Sequence, residues 1–122
     1  MKFLCIYKPG RPEGTPPAQD EMARMGKLIE DGFKAGWLLA TEGCLPSALG
    51  ARVRRSGGNV TLKDGPFTES KEIIGGFALI RVNSKAEAIE LTKRFLEVAG
   101  DGESEIRQIY EAADATCVGD GR

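Results

Sequence analysis

The chain has 122 residues, of which 41% are hydrophobic and 29% are charged. This length fits one hydrophobic core, and the composition is that of a soluble globular domain, which excludes a disordered chain and a coiled coil. Lys and Arg number 17 and Asp and Glu 18, so the net charge is −1 and we expect no nucleic-acid partner. Histidine is absent, which removes the most frequent metal ligand and the side chain that titrates nearest neutral pH.

The three cysteines, Cys5, Cys44 and Cys117, lie far apart and form no Cys-x-x-Cys pair. Their spacing predicts neither a disulfide framework nor a zinc site, and we expect neither metal nor cofactor. The apolar run 3–7 is too short for the core of a signal peptide, and no apolar run is long enough to cross a membrane. We therefore expect a cytoplasmic protein that makes no membrane contact.

The first part of the chain predicts a strand, a helix and a second strand. Residues 3–7 are continuously apolar, as in a strand covered on both faces. Thr15 stands before two prolines and is expected to cap a helix. The expected inward residues of this helix recur at spacings of three and four: Met22, Met25, Ile29 and Phe33. Gly36 is expected to end the helix in the left-handed conformation, and residues 37–40 to begin the second strand.

A hairpin and a long strand follow. Residues 51–55 and 60–63 alternate in character around a turn at 56–59 that contains two glycines, which predicts a hairpin. Residues 72–82 carry apolar side chains at both odd and even positions. This segment is expected to be a strand with both of its faces covered.

The last part of the chain predicts a helix and a strand. Ser84 and Glu87 have the spacing of a capping box and are expected to open a helix that continues to about Ala99. Its expected inward residues are Ile89, Leu91, Phe95, Leu96 and Val98. Residues 105–110 are expected to form the final strand.

The order β-α-β, hairpin, β-α-β predicts an α+β fold of ferredoxin-like type, with an antiparallel sheet and both helices on one of its faces. We assign residues 1–110 to a single domain and residues 111–122 to a C-terminal tail. The helix-free face would expose Leu79 or Ile80, depending on the register of the strand. An apolar face of this size predicts a homodimer in which two sheets pack face to face.

The segment 64–72, with the sequence DGPFTESKE, and the following residues 75–77 resemble the signature of the YCII-related proteins of the DGPF type. The resemblance extends over residues 1–110 and implies a dimeric α+β barrel in a small bacterial cytoplasmic protein. Some such proteins are fused to sigma factors or encoded beside them, which implies regulation linked to a sigma factor. More distant relatives are lyases or isomerases with a His-Asp dyad. This chain has no histidine, so only Asp64 carries over, as a counterpart of the Asp.

Asp64 has two interpretations. As a catalytic base, it would have its pKa raised by desolvation beside Phe67 and Phe77 and would abstract a proton. As a turn residue before Gly-Pro, it would accept hydrogen bonds from the following backbone N–H groups. The sequence leaves both interpretations open.

Four further charged residues are candidate ligand contacts. Glu69 and Lys71 follow Asp64 closely and form either one side of a ligand site or a solvated surface pair. Glu105 and Arg107 share a strand face opposite Ile106. If this face lines the barrel, Arg107 would clamp the carboxylate of a small organic acid and Glu105 would be its resting partner; if it points outward, the two form a surface pair.

Two functions are consistent with these features. The first is a dimeric barrel that binds a small molecule or a partner protein without the dyad. The second is a cofactor-independent isomerase or lyase that acts on a small organic acid with Asp64 as the base. An enclosed polar cavity that contains Asp64 would favour the enzyme, and an Asp64 held only in its turn would favour the binding protein.

Overall fold

The computed structural model describes residues 1–66 and 73–112. The elements, in chain order, are β1 (Lys2–Pro9), α1 (Gln19–Ala35), β2 (Leu38–Gly43), a short 3-10 helix (Ser47–Leu49), β3 (Ala51–Ser56), β4 (Asn59–Asp64), β5 (Gly76–Arg81), α2 (Lys85–Ala99) and β6 (Gly102–Gln108). Within these two described ranges, no helix has the length and apolar character needed to cross a bilayer. Apart from its first two residues, the predicted tail lies outside the described residues.

Four strands form an antiparallel sheet in the order β2-β5-β1-β6, and β3 pairs with β4 in a separate two-stranded sheet. The central strand β1 places Cys5 between Ala78 of β5 and Ile106 of β6. Both helices contribute to a core on one side of this sheet. The prediction of a ferredoxin-like α+β fold with an inserted hairpin is therefore confirmed.

The alternation of side chains along β1 and β5 determines which apolar residues form the core. Phe3 and Ile80 are 2% and 3% exposed and pack beneath the helices with Leu38 and Ala88. Successive side chains of a strand point to opposite faces. The opposite, helix-free face therefore carries four half-buried apolar residues, and we call it the open face: Leu4, Ile6, Phe77 and Leu79.

Helix α1 begins later than expected. Its N-cap is Ala18, which makes no side-chain capping bond, while the Thr15 hydroxyl donates to the carbonyl oxygen of Pro12 at 2.7 Å. The predicted Thr15 cap is therefore wrong. Gly36 ends the helix at φ 85°, as expected, and its N–H donates to the carbonyl oxygen of Gly32.

The buried stripe of α1 also differs from the expected one. Met22 and Phe33 are 59% and 48% exposed, whereas Gly32 is buried and Ile29 packs against the core. At Gly32 the helix lies against the chain at the start of β2, where an added Cβ would lie 2.9 Å from the Trp37 ring. This close approach, which hydrophobic spacing does not reveal, rotates Met22 and Phe33 toward solvent.

Two glycines of α1 provide a test of this packing. We expect Gly26→Ala to raise the free energy of unfolding by about 0.5–1 kcal/mol, because no atom lies within 4 Å of the added Cβ and alanine favours the helix. Gly32→Ala should lower it by roughly 1–3 kcal/mol through overpacking against Trp37. Urea denaturation of both variants checks the pair, and equal effects of the same sign would contradict the packing described.

Helix α2 begins as predicted. The Ser84 hydroxyl accepts a hydrogen bond from the Glu87 N–H at 3.1 Å, while the Glu87 carboxylate accepts from the Asn83 N–H rather than from Ser84. One expected inward residue is misplaced, because Ala88 is fully buried and Ile89 is 38% exposed. The other expected inward residues are half-buried, as predicted: Leu91, Phe95, Leu96 and Val98. The small Ala88 side chain lets the helix lie close to the sheet.

The last two strands of the sheet have other bounds than expected. In the described residues, β5 begins only at Gly76, where an added Cβ would lie 2.6 Å from the Glu42 carbonyl oxygen of the neighbouring β2. Strand β6 begins at Gly102 rather than at residue 105, because β1 continues to Pro9 and pairs with Gly102. The predicted strand ends were therefore displaced by pairing between distant segments.

The predicted hairpin is confirmed as β3 and β4, joined at Gly57 and Gly58, both of which have positive φ. Its register pairs Val53 with Leu62, and these two side chains are 72% and 65% exposed. The hairpin thus projects from the body of the described chain.

Candidate functional site

A cavity of about 360 Å³ lies between the two helices and the helix-facing side of the sheet. Its walls are mainly apolar, with contributions from α1, α2 and the segment at the start of β2: Met25, Ile29, Trp37, Leu38, Leu91 and Phe95. The cavity exists because small residues face it from the strands, among them Ala78 of β5 and Ser104 of β6. An apolar cavity of this size is of the kind that binds small molecules.

Two hydroxyl groups in the cavity wall are bonded within the protein. The Thr41 hydroxyl donates to the Phe77 carbonyl oxygen, and the Thr92 hydroxyl donates to the Ala88 carbonyl oxygen, both at 2.8 Å. Cys5 lies 4.0 Å from the Thr92 hydroxyl. Burial raises the pKa of the Cys5 thiol, which favours the protonated, unreactive form.

Tyr7 is one of the polar residues that line the cavity. Its ring meets Phe95 edge to face, with 5.0 Å between the ring centroids, and its hydroxyl donates to the Asp101 carbonyl oxygen at 3.4 Å. Burial is the main reason that the pKa of Tyr7 is raised. The phenol is therefore a neutral group near neutral pH.

Arg11 and Glu21 form a two-pronged ion pair in the lining of the cavity. Arg11 Nη2 donates to Glu21 Oε2 at 2.7 Å, and Nη1 donates to Oε1 at 3.4 Å. The two side chains are 35% and 21% exposed. Glu21 lies in the first turn of α1, where the helix dipole favours a carboxylate. Sequence reasoning missed this pair, because Arg11 lies in a loop and no spacing rule relates it to Glu21.

The structure places Asp64 at the end of β4, opposite Ala51 in the hairpin, and its side chain is exposed. The following Gly65 donates its N–H to the Gly50 carbonyl oxygen at 3.1 Å. In the described part of the chain, Asp64 is not among the residues that line the cavity. Its role as a base or ligand contact stays a prediction, and Glu69 and Lys71 lie outside the described residues.

Glu105 and Arg107 come together on the same side of the sheet as the open face. Arg107 Nη1 donates to Glu105 Oε2 at 2.8 Å, and Lys8 Nζ donates to Oε1 at 3.2 Å. Register places these residues beside Leu4 and Ile6, away from the cavity, and the Arg107 side chain is 69% exposed. The structure therefore brings together two of the five candidate residues, Glu105 and Arg107, and their contribution to ligand binding stays a prediction.

Glu105 gives a pH-dependent prediction. The hydrogen bond from Arg107, and next the one from Lys8, lower the pKa of Glu105 below the ordinary value of a glutamate. The resulting stabilisation is present above the ordinary pKa and is lost as the pH falls through the lowered pKa. In an NMR titration of the side-chain carboxyl carbon, Arg107→Gln should move the pKa of Glu105 upward; an unchanged pKa would show that Arg107 does not hold this carboxylate.

The described residues do not form a cluster of metal ligands. Within residues 1–66 and 73–112, no three His, Cys, Asp or Glu side chains come together in a group that could hold a metal ion. The polar groups of the cavity are instead a phenol, hydroxyls and the Arg11–Glu21 pair. These groups can orient a small molecule through hydrogen bonds.

The chain is similar to known proteins in its sequence and in its fold. No functionally curated protein matches the sequence. Among solved structures, the chain is similar to the 5-chloro-2-hydroxyhydroquinone dehydrochlorinase of Burkholderia phenoliruptrix, with 17% identity and a TM-score of 0.47, over 93% of this chain and 98% of that one. The model of the YCII-related domain matches residues 1–113. This chain therefore belongs to the family of YCII-related domain proteins.

Proposed function

We propose that this protein is a homodimeric binding module that holds one small, largely apolar molecule between its helices and its sheet. The observation that carries this proposal is the cavity of about 360 Å³ with mainly apolar walls. Ligand pockets of proteins measure roughly 300–1,000 Å³ and combine apolar walls with a few polar groups that fix orientation. Tyr7 and the Arg11–Glu21 pair are such groups.

Binding is favoured over catalysis by the state of the polar groups. Glu21 is held by both terminal nitrogens of Arg11, and taking up a substrate proton as a general base would give up this ion pair. Asp64, the base of the alternative isomerase or lyase, is exposed on the hairpin. The sequence resemblance implies a partner linked to sigma-factor regulation. This partner belongs to the same proposal, because ligand binding to such a module can change its affinity for another protein.

The homodimer is proposed from the open face. Its four apolar residues are flanked by charged residues that the strand register places on the same side of the sheet: Lys2, Lys8, Arg81, Glu103, Glu105 and Arg107. An apolar centre inside a polar rim is the arrangement of a protein interface. The rim carries both signs of charge, so a second copy can meet it with complementary groups.

A cavity-filling variant tests the binding proposal. Ala78 lines the cavity, and Ala78→Leu should occupy part of its volume without leaving the core underpacked. We expect the wild-type protein to bind 2-naphthamide in isothermal titration calorimetry and the variant to lose this binding. Ala23→Leu adds the same volume at an exposed position of α1 and serves as the matched control. Undiminished binding by Ala78→Leu, with its fold retained, would show that the cavity is not the site.

A further inference from the structure

We infer that the ligand of this cavity carries an uncharged polar group with a hydrogen-bond acceptor beside a donor, as in a primary amide, rather than a carboxylate. The inference rests on the proposed function, because it concerns the ligand of the same cavity. It replaces the small organic acid expected from the sequence with a neutral, amphipathic molecule. Three observations carry it: the charge of the lining, the unused hydrogen-bonding groups of the ion pair, and the apolar walls.

The lining does not favour a negative ligand. Arg11 is the one cationic residue among those that line the cavity in the described part of the chain, and Glu21 already neutralises it. Glu42 borders the cavity only through its backbone, because its pairing with Phe77 places its side chain on the open face, so the side chains of the described lining carry no net charge. A carboxylate that left water for this site would lose its hydration and gain no unpaired cation. An uncharged group loses much less hydration in the same transfer.

The ion pair offers donors and acceptors side by side. A guanidinium has five N–H donors, and Glu21 occupies two N–H groups of Arg11, one on each terminal nitrogen. A carboxylate has about four lone-pair positions, so Glu21 can also accept a further hydrogen bond. A ligand group with an adjacent acceptor and donor can bond to Arg11 and Glu21 together without separating them.

The apolar walls of the cavity indicate that the rest of the ligand is hydrophobic. The hydroxyls of Thr41 and Thr92 donate to backbone carbonyl oxygens, and the walls around them are aliphatic and aromatic. A dry apolar cavity of about 150 Å³ accommodates benzene, so one of about 360 Å³ has room for a two-ring hydrocarbon body. We therefore expect a compact hydrophobic molecule with its polar group at the Arg11–Glu21 pair.

Two probes of nearly equal shape test this inference. 2-Naphthamide is uncharged and 2-naphthoate is anionic at neutral pH, and calorimetry gives the Kd of each. We expect the wild-type protein to bind the amide at least tenfold more tightly than the carboxylate, an order-of-magnitude difference. Glu21→Gln removes one negative charge at nearly constant shape and should tighten the binding of 2-naphthoate by about tenfold. Glu30→Gln, at an exposed position of the same helix, should change neither Kd.

The outcomes separate the inference from the proposed function. Equal or tighter binding of 2-naphthoate by the wild-type protein, abolished by Ala78→Leu, would overturn the uncharged ligand and leave the cavity as a binding site. Binding of neither probe would overturn the proposed function and the inference together. The wild-type comparison decides the question even if Glu21→Gln does not fold.

Discussion

Replacing Phe3 by alanine is expected to lower the free energy of unfolding by about 3–5 kcal/mol. Phe3 is 2% exposed and lies on β1, the strand that pairs with both β5 and β6. Its side chain packs under both helices with Ile80 and Ala88. The substitution removes this apolar contact area and leaves a cavity beside the centre of the core, where the backbone of a paired strand cannot collapse inward.

Urea denaturation at a fixed protein concentration measures this effect. Leu45→Ala is a matched control, because Leu45 is 75% exposed and the truncation should change the free energy of unfolding by no more than about 0.5 kcal/mol. A Phe3→Ala variant as stable as the Leu45→Ala variant would mean that the core does not lie between β1 and the helices.

Leu79→Lys is expected to convert a dimer into a folded monomer. Leu79 lies on the open face, and its neighbour Ile80 is 3% exposed in the core. In the proposed dimer, the substitution places an ammonium group in an apolar interface without a partner, at a cost on the order of 3–5 kcal/mol. The dissociation constant should then rise by more than about a hundredfold.

Ile80→Lys is the comparison that separates the two faces of the sheet. The same charge at Ile80 enters the core beneath the helices and should unfold the protein. Sedimentation velocity at micromolar concentration, combined with circular dichroism, distinguishes loss of the dimer from loss of the fold. A wild-type protein that sediments as a monomer would contradict the proposed dimer, as would a Leu79→Lys variant that remains dimeric.

Local sequence rules predicted the parts of the fold that depend on neighbouring residues. The Ser84 cap, the left-handed Gly36 and the turn of the β3–β4 hairpin each involve contacts within a few positions. The order of helices and strands was sufficient to predict the ferredoxin-like sheet. Spacing was a poorer guide to the buried faces of helices, because Gly32 and Ala88 allow close contacts that hydrophobicity alone does not indicate.

The candidate site was less predictable than the fold. Charge and the family resemblance predicted site residues at Asp64, which lies on the hairpin, and at Glu105 and Arg107, which lie beside the open face. The cavity arises instead from side chains of both helices and the sheet, and its ion pair joins Arg11 of a loop to Glu21 of a helix. Such a site depends on how the helices pack on the sheet, and one sequence carries no local pattern for that packing.

A crystal structure of the protein with 2-naphthamide is the most direct test of the cavity as the binding site. We expect electron density for the rings between α1 and the sheet, against Trp37, with the amide within hydrogen-bond distance of Arg11 and Glu21. A ligand bound on the open face or on the hairpin, with the cavity free of it, would contradict the proposed site.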